Sequence, residues 1–169
     1  AGVDFCIMEV SSHALALDRV YGCHYAVGGF TNLTQDHLDF HKTMDNYAAA
    51  KAKLFEISDA AVINTDDKYG KKMAENCPCK VIGYGVESAA DLKTENIEYR
   101  ASGISFDVSG KRYHLAIPGE FSVYNALCAI GIAKAVGIDE EKIREALSTA
   151  HGVKGRAEVV RTDTDYTVI

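Results

Sequence analysis

The alternation of short apolar segments with helical segments is the feature that most constrains the fold of this chain. Helices are predicted over Ser12–Val20, over Asp45–Ile57 with Asp45 as N-cap, and from about Lys68 to Asn76. Strands are predicted around them at "VDFCIMEV", "AVGGFTNL", "AAVINTDD" and "KVIGYG". Short buried strands that alternate with helices indicate an α/β fold, with a mostly parallel sheet flanked by helices.

The second half of the chain has a different pattern. The stretch "LKTENIEYRASGISFDVSGKRYHLAIPG" alternates with period two around Ser-Gly, which predicts a hairpin or a small antiparallel sheet. An apolar helix then ends at Gly137, and a second helix follows the N-cap Asp139. The segment "AEVVRTDTDYTVI" predicts a closing pair of strands. Because no repeat or linker interrupts the pattern, we expect residues 1–169 to form one domain.

Composition narrows the class of protein. The chain is 47% hydrophobic and 25% charged, and its net charge of −6 argues against a general nucleic-acid-binding surface. It contains neither a membrane-length apolar run nor the basic start of a signal peptide, so we expect a cytoplasmic protein. Cys6 and Cys128 lie in apolar segments and are expected in the core, whereas Cys77 and Cys79 lack a second pair at zinc spacing.

Polar clusters follow three of the predicted strands, at Glu9–His13, Asn32–His41 and Asn64–Asp67. One such cluster alone more often forms a turn or a helix cap. The carboxyl ends of parallel strands, however, meet at one edge of a sheet, and ligands bind at that edge. Three polar clusters there therefore predict a binding or catalytic site.

Two of these clusters carry candidate metal ligands. The Glu9 carboxylate suits Mg²⁺, although a carboxylate in this place also suits the start of the following helix. His37 and His41 are four residues apart and would share one face of a helix. That spacing leaves a zinc hydrolase open as an alternative, even though the chain has no H-E-x-x-H motif.

Lys51 is the most unusual candidate. It lies four residues from both Tyr47 and Phe55, so these three side chains share a helix face, whereas Lys53 points to solvent. A lysine that packs on the sheet tends to lose its proton. The neutral amine can react with CO₂ to give a carbamate, an anion that can bind a metal. The alternative is a lysine with a buried stem and a solvated ammonium group.

Several motifs occur in an order and spacing that resemble the central, ATP-binding domain of the Mur ligases. They are "EVSSHAL" with a downstream arginine, "FTNLTQDHLDFH", "NYAAAKAKLF", "INTDD", "GEFSVYNALCAI" and "GVKGRAEVV". Within the family, the chain is most similar to the ligases that add the third residue of the peptidoglycan stem peptide. The resemblance implies ATP and Mg²⁺ as cofactors. It also implies the joining of L-lysine or meso-diaminopimelate to UDP-N-acetylmuramoyl-L-Ala-D-Glu through an acyl phosphate.

The resemblance assigns metal-binding and catalytic roles to three residues. Glu9 and His37 match ligands of two Mg²⁺ ions, and Lys51 matches a lysine whose carbamate stands beside the second ion. His37 and Lys51 are therefore the candidate catalytic residues.

The resemblance also assigns binding roles. Ser11 and Arg19 match residues that hold the UDP-muramoyl peptide. Asn125 matches the asparagine that contacts adenine, and Arg156 matches a nucleotide-contacting arginine. Ser122 departs from the pattern, since the family often has asparagine there.

The Gly-rich phosphate loop of the family does not occur in the chain, because neither G-x-x-x-x-G-K-[ST] nor G-x-G-x-x-G is present. We therefore expect residues 1–169 to be part of a longer ligase, without its upstream phosphate loop and its downstream amino-acid-binding domain, and to be inactive alone. Two alternatives stay open. One is another ligase of the superfamily, such as a folylpolyglutamate synthetase, and the other is a non-catalytic α/β binding module.

Overall fold

A computed structural model describes residues 2–100 and 103–152 of the chain. Six strands form one sheet: β1 Tyr25–Phe30, β2 Ser58–Asn64, β3 Lys80–Gly85, β4 Leu92–Arg100, β5 Gly103–Val108 and β6 Lys111–Leu115. Six helices accompany them: α1 Ser12–Ala16, α2 Leu38–His41, α3 Met44–Glu56, α4 Lys68–Glu75, α5 Glu120–Ala135 and α6 Glu140–Thr149. Within the described residues, none of the helices has the length and apolarity needed to cross a membrane.

The sheet follows chain order from β1 to β6. Strands β1 to β4 pair in parallel, while β4, β5 and β6 pair antiparallel. Ser109 and Gly110 join β5 to β6 with φ angles of 52° and 73°, the positive values that a tight hairpin turn requires. The predicted α/β fold with a small antiparallel part is confirmed. The predicted closing strands lie outside the described residues.

Helices cover both faces of the parallel part of the sheet. In β2, Val62 faces the cluster that includes α5, while Ala61 and Ile63 face the cluster that includes α3 and α4. All three side chains are fully buried. A strand that is covered on both faces reads as a continuous apolar run rather than an alternating one, as "AAVIN" does.

Local capping residues fix where the helices begin. Asp139 caps α6 and Gly137 follows α5 with a φ of 79°, both as predicted. The predicted cap of α3 was wrong: Thr43, not Asp45, accepts the hydrogen bond from the backbone of Asn46, at 3.1 Å. Asp45 instead lies in the first turn, where its charge is favourable to the helix dipole.

The prediction of a first strand at "VDFCIMEV" was also wrong. Residues 2–10 belong to no strand, and Val3, Phe5 and Ile7 are 82%, 60% and 97% exposed. The apolar pattern is that of a buried strand, but a strand needs a hydrogen-bonded neighbour, and in the described structure β1 pairs with β2 alone. Cys6 is consequently exposed, whereas Cys128 is buried as predicted.

Close packing of α4 on the end of β2 leaves no room for a side chain at Gly70. A Cβ atom at Gly70 would overlap the backbone oxygen of Asn64 and come within 3.0 Å of Phe30. We expect Gly70→Ala to lower the free energy of unfolding by about 2 kcal/mol, because overpacking outweighs the better helix propensity of alanine. Urea denaturation measures this, with Gly152→Ala as the control because its Cβ meets nothing within 4 Å. Equal stability of the two variants would contradict the packing argument.

Candidate functional site

The loops that follow β1 and β2 meet at the carboxyl edge of the sheet. The side-chain amide of Asn64 donates a 2.7 Å hydrogen bond to the backbone oxygen of Thr31. The carboxylate of Asp67 accepts a 2.9 Å hydrogen bond from the backbone N–H of Leu33 and also caps α4. Two of the three polar clusters in the sequence are therefore joined at the edge where parallel sheets bind ligands.

Asp66 connects this edge to the loop after β3. Its carboxylate accepts hydrogen bonds from the backbone N–H groups of Val86, Glu87 and Ser88 at 2.6, 2.9 and 2.7 Å. Tyr124 of α5 donates a fourth, at 3.1 Å. Partial burial alone would raise the pKa of Asp66, but the hydrogen bonds from Ser88 and the backbone lower it to about 2. This role of Asp66 was not predicted; its only signal in the sequence is the pair of adjacent aspartates, Asp66 and Asp67, after a predicted strand.

A cluster of aromatic rings joins α1, α2 and α3. His41 is buried, shares a 2.9 Å hydrogen bond with Ser12, and stacks on Tyr47 with ring centroids 4.9 Å apart. His13 packs against His37, with centroids 4.9 Å apart, and against Phe40 at 4.3 Å. Burial lowers the pKa of His41, and the His13 and His37 rings lower it further. The neutral form of His41 is therefore favoured.

The geometry of this cluster does not give His37 and His41 a common metal-binding face. His37 precedes α2 with a φ of 53°, outside the helix, and its Nε2 lies 3.5 Å from the Asp36 carboxylate. The Nε2 atom of His41 is directed at Ser12 instead. The zinc-hydrolase alternative depends on a shared face, so the described residues do not support it.

Lys51 lies half-buried on the face of α3 that carries Tyr47 and Phe55, in agreement with the predicted face, and Lys53 is exposed. The Nζ atom of Lys51 is 5.5 Å from the centroid of the Tyr47 ring. Burial lowers the pKa of the Lys51 amine, and the charge of nearby Glu9 opposes this by raising it. The Lys51 amine is therefore partly desolvated, and the charge of a carboxylate acts on it.

Two observations link the three candidate metal-site residues, which are far apart in the chain. Glu9 is close enough to Lys51 to act on its charge, and the His37 ring is 6.0 Å from the Tyr47 ring beneath Lys51. Glu9 and His37 are both exposed. Within residues 2–100 and 103–152, no three His, Cys, Asp or Glu side chains are grouped as a metal site. The exposed Glu9 carboxylate suits Mg²⁺, which usually takes one or two protein carboxylates and completes its shell with water and substrate phosphates.

The candidate substrate-binding residues lie at the two ends of α1. The Ser11 hydroxyl is exposed and accepts a 3.1 Å hydrogen bond from the backbone of Ala14, which makes Ser11 the N-cap. The hydroxyl proton remains available to a ligand. Arg19 is exposed in the turn that follows the helix, and it forms no ion pair within the described residues.

The candidate nucleotide-binding residues are only partly described. Asn125 is exposed on α5 and lines a hollow of about 450 Å³ together with Phe121, Ile117 and His151. Ser122 is buried, and its hydroxyl donates a 2.8 Å hydrogen bond to the oxygen of Pro118. This hollow is a separate place from the Glu9–His37–Lys51 group. Arg156 lies outside the described residues.

Comparison with known families identifies the class of protein to which this mostly parallel α/β sheet belongs. The family model described as Mur ligase middle domain matches residues 1–133. The chain therefore belongs to the Mur ligase family, as its motifs indicated.

The similar proteins carry more specific names. The chain is 46% identical, over 173 residues, to UDP-N-acetylmuramoyl-L-alanyl-D-glutamate–2,6-diaminopimelate ligase 1 of Clostridium acetobutylicum. That match covers 99% of this chain and 36% of the relative, so the chain spans about a third of the relative's length.

Solved structures show the same fold. MurF from Acinetobacter baumannii matches with a TM-score of 0.74 and 23% identity, over 82% of this chain and 32% of that one. The MurF ligase from Thermotoga maritima in complex with ADP matches with a TM-score of 0.69 and 16% identity, over 91% of this chain and 36% of that one.

Proposed function

We propose that this chain serves as the middle domain of an ATP-dependent ligase that joins an amino acid to UDP-N-acetylmuramoyl-L-Ala-D-Glu. The observation that carries the proposal is the half-buried Lys51, whose Nζ atom lies 5.5 Å from the centroid of the Tyr47 ring, with the His37 ring 6.0 Å from the same ring. The name of the relative at 46% identity supports the substrate and favours diaminopimelate over lysine as the added residue.

The proposed reaction has two steps. The terminal carboxylate of the dipeptide attacks the γ-phosphorus of ATP, ADP leaves, and an acyl phosphate forms. The amine of the incoming amino acid then attacks the acyl carbon, the C–O bond to phosphate breaks, and the amine loses a proton. Both steps pass through states with concentrated negative charge, so the site must place compensating positive charge there.

The residues of this chain would supply that positive charge by holding metal ions. Glu9 and His37 would hold Mg²⁺, and the Lys51 carbamate would stand beside the second ion. Bound Mg²⁺ neutralises charge on the transferring phosphoryl group. Carbamylation converts the Lys51 side chain from a cation, which repels Mg²⁺, into an anion. The aromatic cluster around Tyr47 would hold the Lys51 stem and the His37 ring in place.

The lowered pKa of Lys51 predicts that this lysine reacts with CO₂ more readily than its neighbours. Burial favours the neutral amine, and only the neutral amine forms the N–C bond of a carbamate. With ¹³C-labelled bicarbonate, we expect a carbamate carbon signal in NMR spectra of the full-length protein and of Lys53→Ala. The signal should be absent from Lys51→Ala. A signal that persists without Lys51 would assign the carbamate elsewhere.

Arg19 and Ser11 are proposed to hold the UDP-muramoyl dipeptide, whose phosphates and carboxylates suit a guanidinium group. We expect Arg19→Ala to raise the KM for this substrate about tenfold with little change in kcat, because a binding contact rather than a reacting group is lost. Steady-state kinetics measures both constants. Arg100→Ala is the matched control, since Arg100 is also exposed but pairs with Glu98 on β4. A lower kcat at unchanged KM would place Arg19 in the chemistry instead.

The hollow on α5 is the proposed place for the adenine ring. The Asn125 side chain offers a donor and an acceptor side by side, which matches the edge of adenine, and Arg156 is proposed to reach the ribose or a phosphate. The ADP bound to the Thermotoga maritima MurF ligase, which has the same fold, supports the use of ATP.

The proposed function is tested by supplying the full-length protein with ATP, Mg²⁺ and alternative acceptors, and by measuring phosphate release and product mass. We expect turnover with the UDP-muramoyl dipeptide plus diaminopimelate. Turnover with a folate and glutamate alone would assign the chain to another ligase of the superfamily. An absence of turnover with every acceptor would favour a binding module. Residues 1–169 alone are expected to be inactive.

A further inference from the structure

Two cysteines lie side by side on the edge of the sheet that faces away from the site described above. Cys77 and Cys79 precede β3, so they lie at its amino end, whereas the polar loops of the site follow the carboxyl ends of the strands. Their sulfur atoms are 3.6 Å apart, and both residues are half-buried. Neither cysteine takes part in the proposed ligase chemistry.

The fold holds this pair in place from both sides. On the helix side, Asn76 is the C-cap of α4 and donates a 2.8 Å side-chain hydrogen bond to the backbone oxygen of Lys72. On the strand side, Lys80 pairs with Ala60 in the sheet. Pro78 restricts the backbone between the cysteines. The two sulfur atoms are therefore held close together by the short connection between α4 and β3.

We infer that Cys77 and Cys79 form a dithiol modification site, in which the two thiols form an intramolecular disulfide by exchange with a low-molecular-weight disulfide. One cysteine thiolate attacks a sulfur of the small disulfide, and the first small thiolate leaves. The second cysteine thiolate then attacks the protein sulfur of the mixed disulfide, and the second small thiolate leaves. Two protein S–H bonds are lost and one S–S bond forms, while the small disulfide is reduced to two thiols.

The surroundings of Cys79 keep its thiol protonated at neutral pH. Burial raises the pKa of the Cys79 thiol to about 11, with further contributions from Cys77 and from the charge of Asp59. Asp59 itself is bound to His24 at 2.8 Å. Closure therefore proceeds faster in mildly alkaline buffer, because only the thiolate is the nucleophile.

The sequence allows the pair to be followed on its own. Trypsin cleaves after Lys72 and after Lys80, so it releases residues 73–80, "MAENCPCK", as one peptide with both cysteines. The full-length protein is incubated with oxidised glutathione in mildly alkaline buffer, its remaining thiols are blocked, and the peptide is weighed by mass spectrometry. We expect a peptide that carries no blocking groups and has a mass two hydrogen atoms below that of the reduced peptide. Treatment with a dithiol reductant before blocking should remove this species.

The comparison with unfolded protein shows whether the fold brings the thiols together. In concentrated urea, at the same ratio of oxidised to reduced glutathione, we expect the fraction of peptide with the Cys77–Cys79 disulfide to be about tenfold lower. Equal fractions of disulfide in folded and unfolded protein would overturn the inference. So would a peptide from the folded protein in which both cysteines carry the blocking group or both carry glutathione. In Cys77→Ser and Cys79→Ser, the remaining cysteine is expected to carry one glutathione. The exposed Cys6 and Cys23 serve as internal controls for reactivity.

Discussion

Replacement of Lys51 by alanine is expected to lower the ligase turnover of the full-length protein by at least about a hundredfold, the size of effect that follows loss of one charge-stabilising group. The physical reason is the loss of the proposed carbamate, without which the proposed second Mg²⁺ would have no anionic neighbour. Helix α3 should persist in the variant, because alanine is the best helix former. Initial-rate measurements of phosphate release with the UDP-muramoyl dipeptide give the result.

Two controls separate this effect from a general loss of structure. Lys53→Ala, two residues away on the exposed side of α3, should keep normal turnover. A short carboxylate such as acetate or formate, added to Lys51→Ala, should restore part of the activity, because it can occupy the vacated space beside the metal. Full activity of Lys51→Ala without any added carboxylate would refute the carbamate role.

Replacement of Asp66 by alanine is expected to lower the free energy of unfolding by about 3 kcal/mol. Three backbone N–H groups and the Tyr124 hydroxyl would lose their acceptor at once, and bonds to charged groups are the stronger ones. Urea denaturation measures the change, with Asp4→Ala, an exposed aspartate, as the control. A change as small as that of the control would show that water replaces these hydrogen bonds without cost.

The same carboxylate predicts a pH dependence of stability. Its folded-state pKa of about 2 lies below the ordinary value of 3.8, so its stabilising contribution is fully present above pH 3.8. That contribution is lost as the pH falls through about 2. Solvent screening of a partly exposed group reduces this contribution to about 1 kcal/mol. Between pH 3.8 and about 2, the free energy of unfolding of the parent protein should fall more than that of Asp66→Ala. Parallel plots of the free energy of unfolding against pH would contradict the lowered pKa of Asp66.

Much of the fold is predictable because local signals agree with the tertiary contacts. "KVIGYG" and "AAVIN" are apolar runs of strand length that helices cover, and they form β3 and most of β2. The segment that contains Val3 and Ile7 has the same apolar character but remains outside the sheet. A pattern of side chains predicts that a segment is suited to a strand, but it does not supply the neighbour to which that strand must bond.

The candidate site was predictable only in part, for a related reason. The common face of Tyr47 and Lys51 follows from helical periodicity, so the burial of Lys51 could be predicted from spacing alone. The packing of His13 on Phe40, or of His41 against Ser12, joins segments far apart in the sequence, and no local period encodes it. The choice of Thr43 over Asp45 as a cap is similar, since both residue types are good caps and only the backbone path decides between them.

The bonds made by Asp66 have a consequence for the order in which the chain folds. They join Asp66 to Val86, 20 residues away, and to Tyr124, 58 residues away. Contacts between such distant parts of a chain carry a loop-closure cost that must be met before they can form. Helices such as α3 and α4 can begin to form from their own sequences. The carboxyl edge of the sheet takes its final shape only after the later parts of the chain, through α5, have docked.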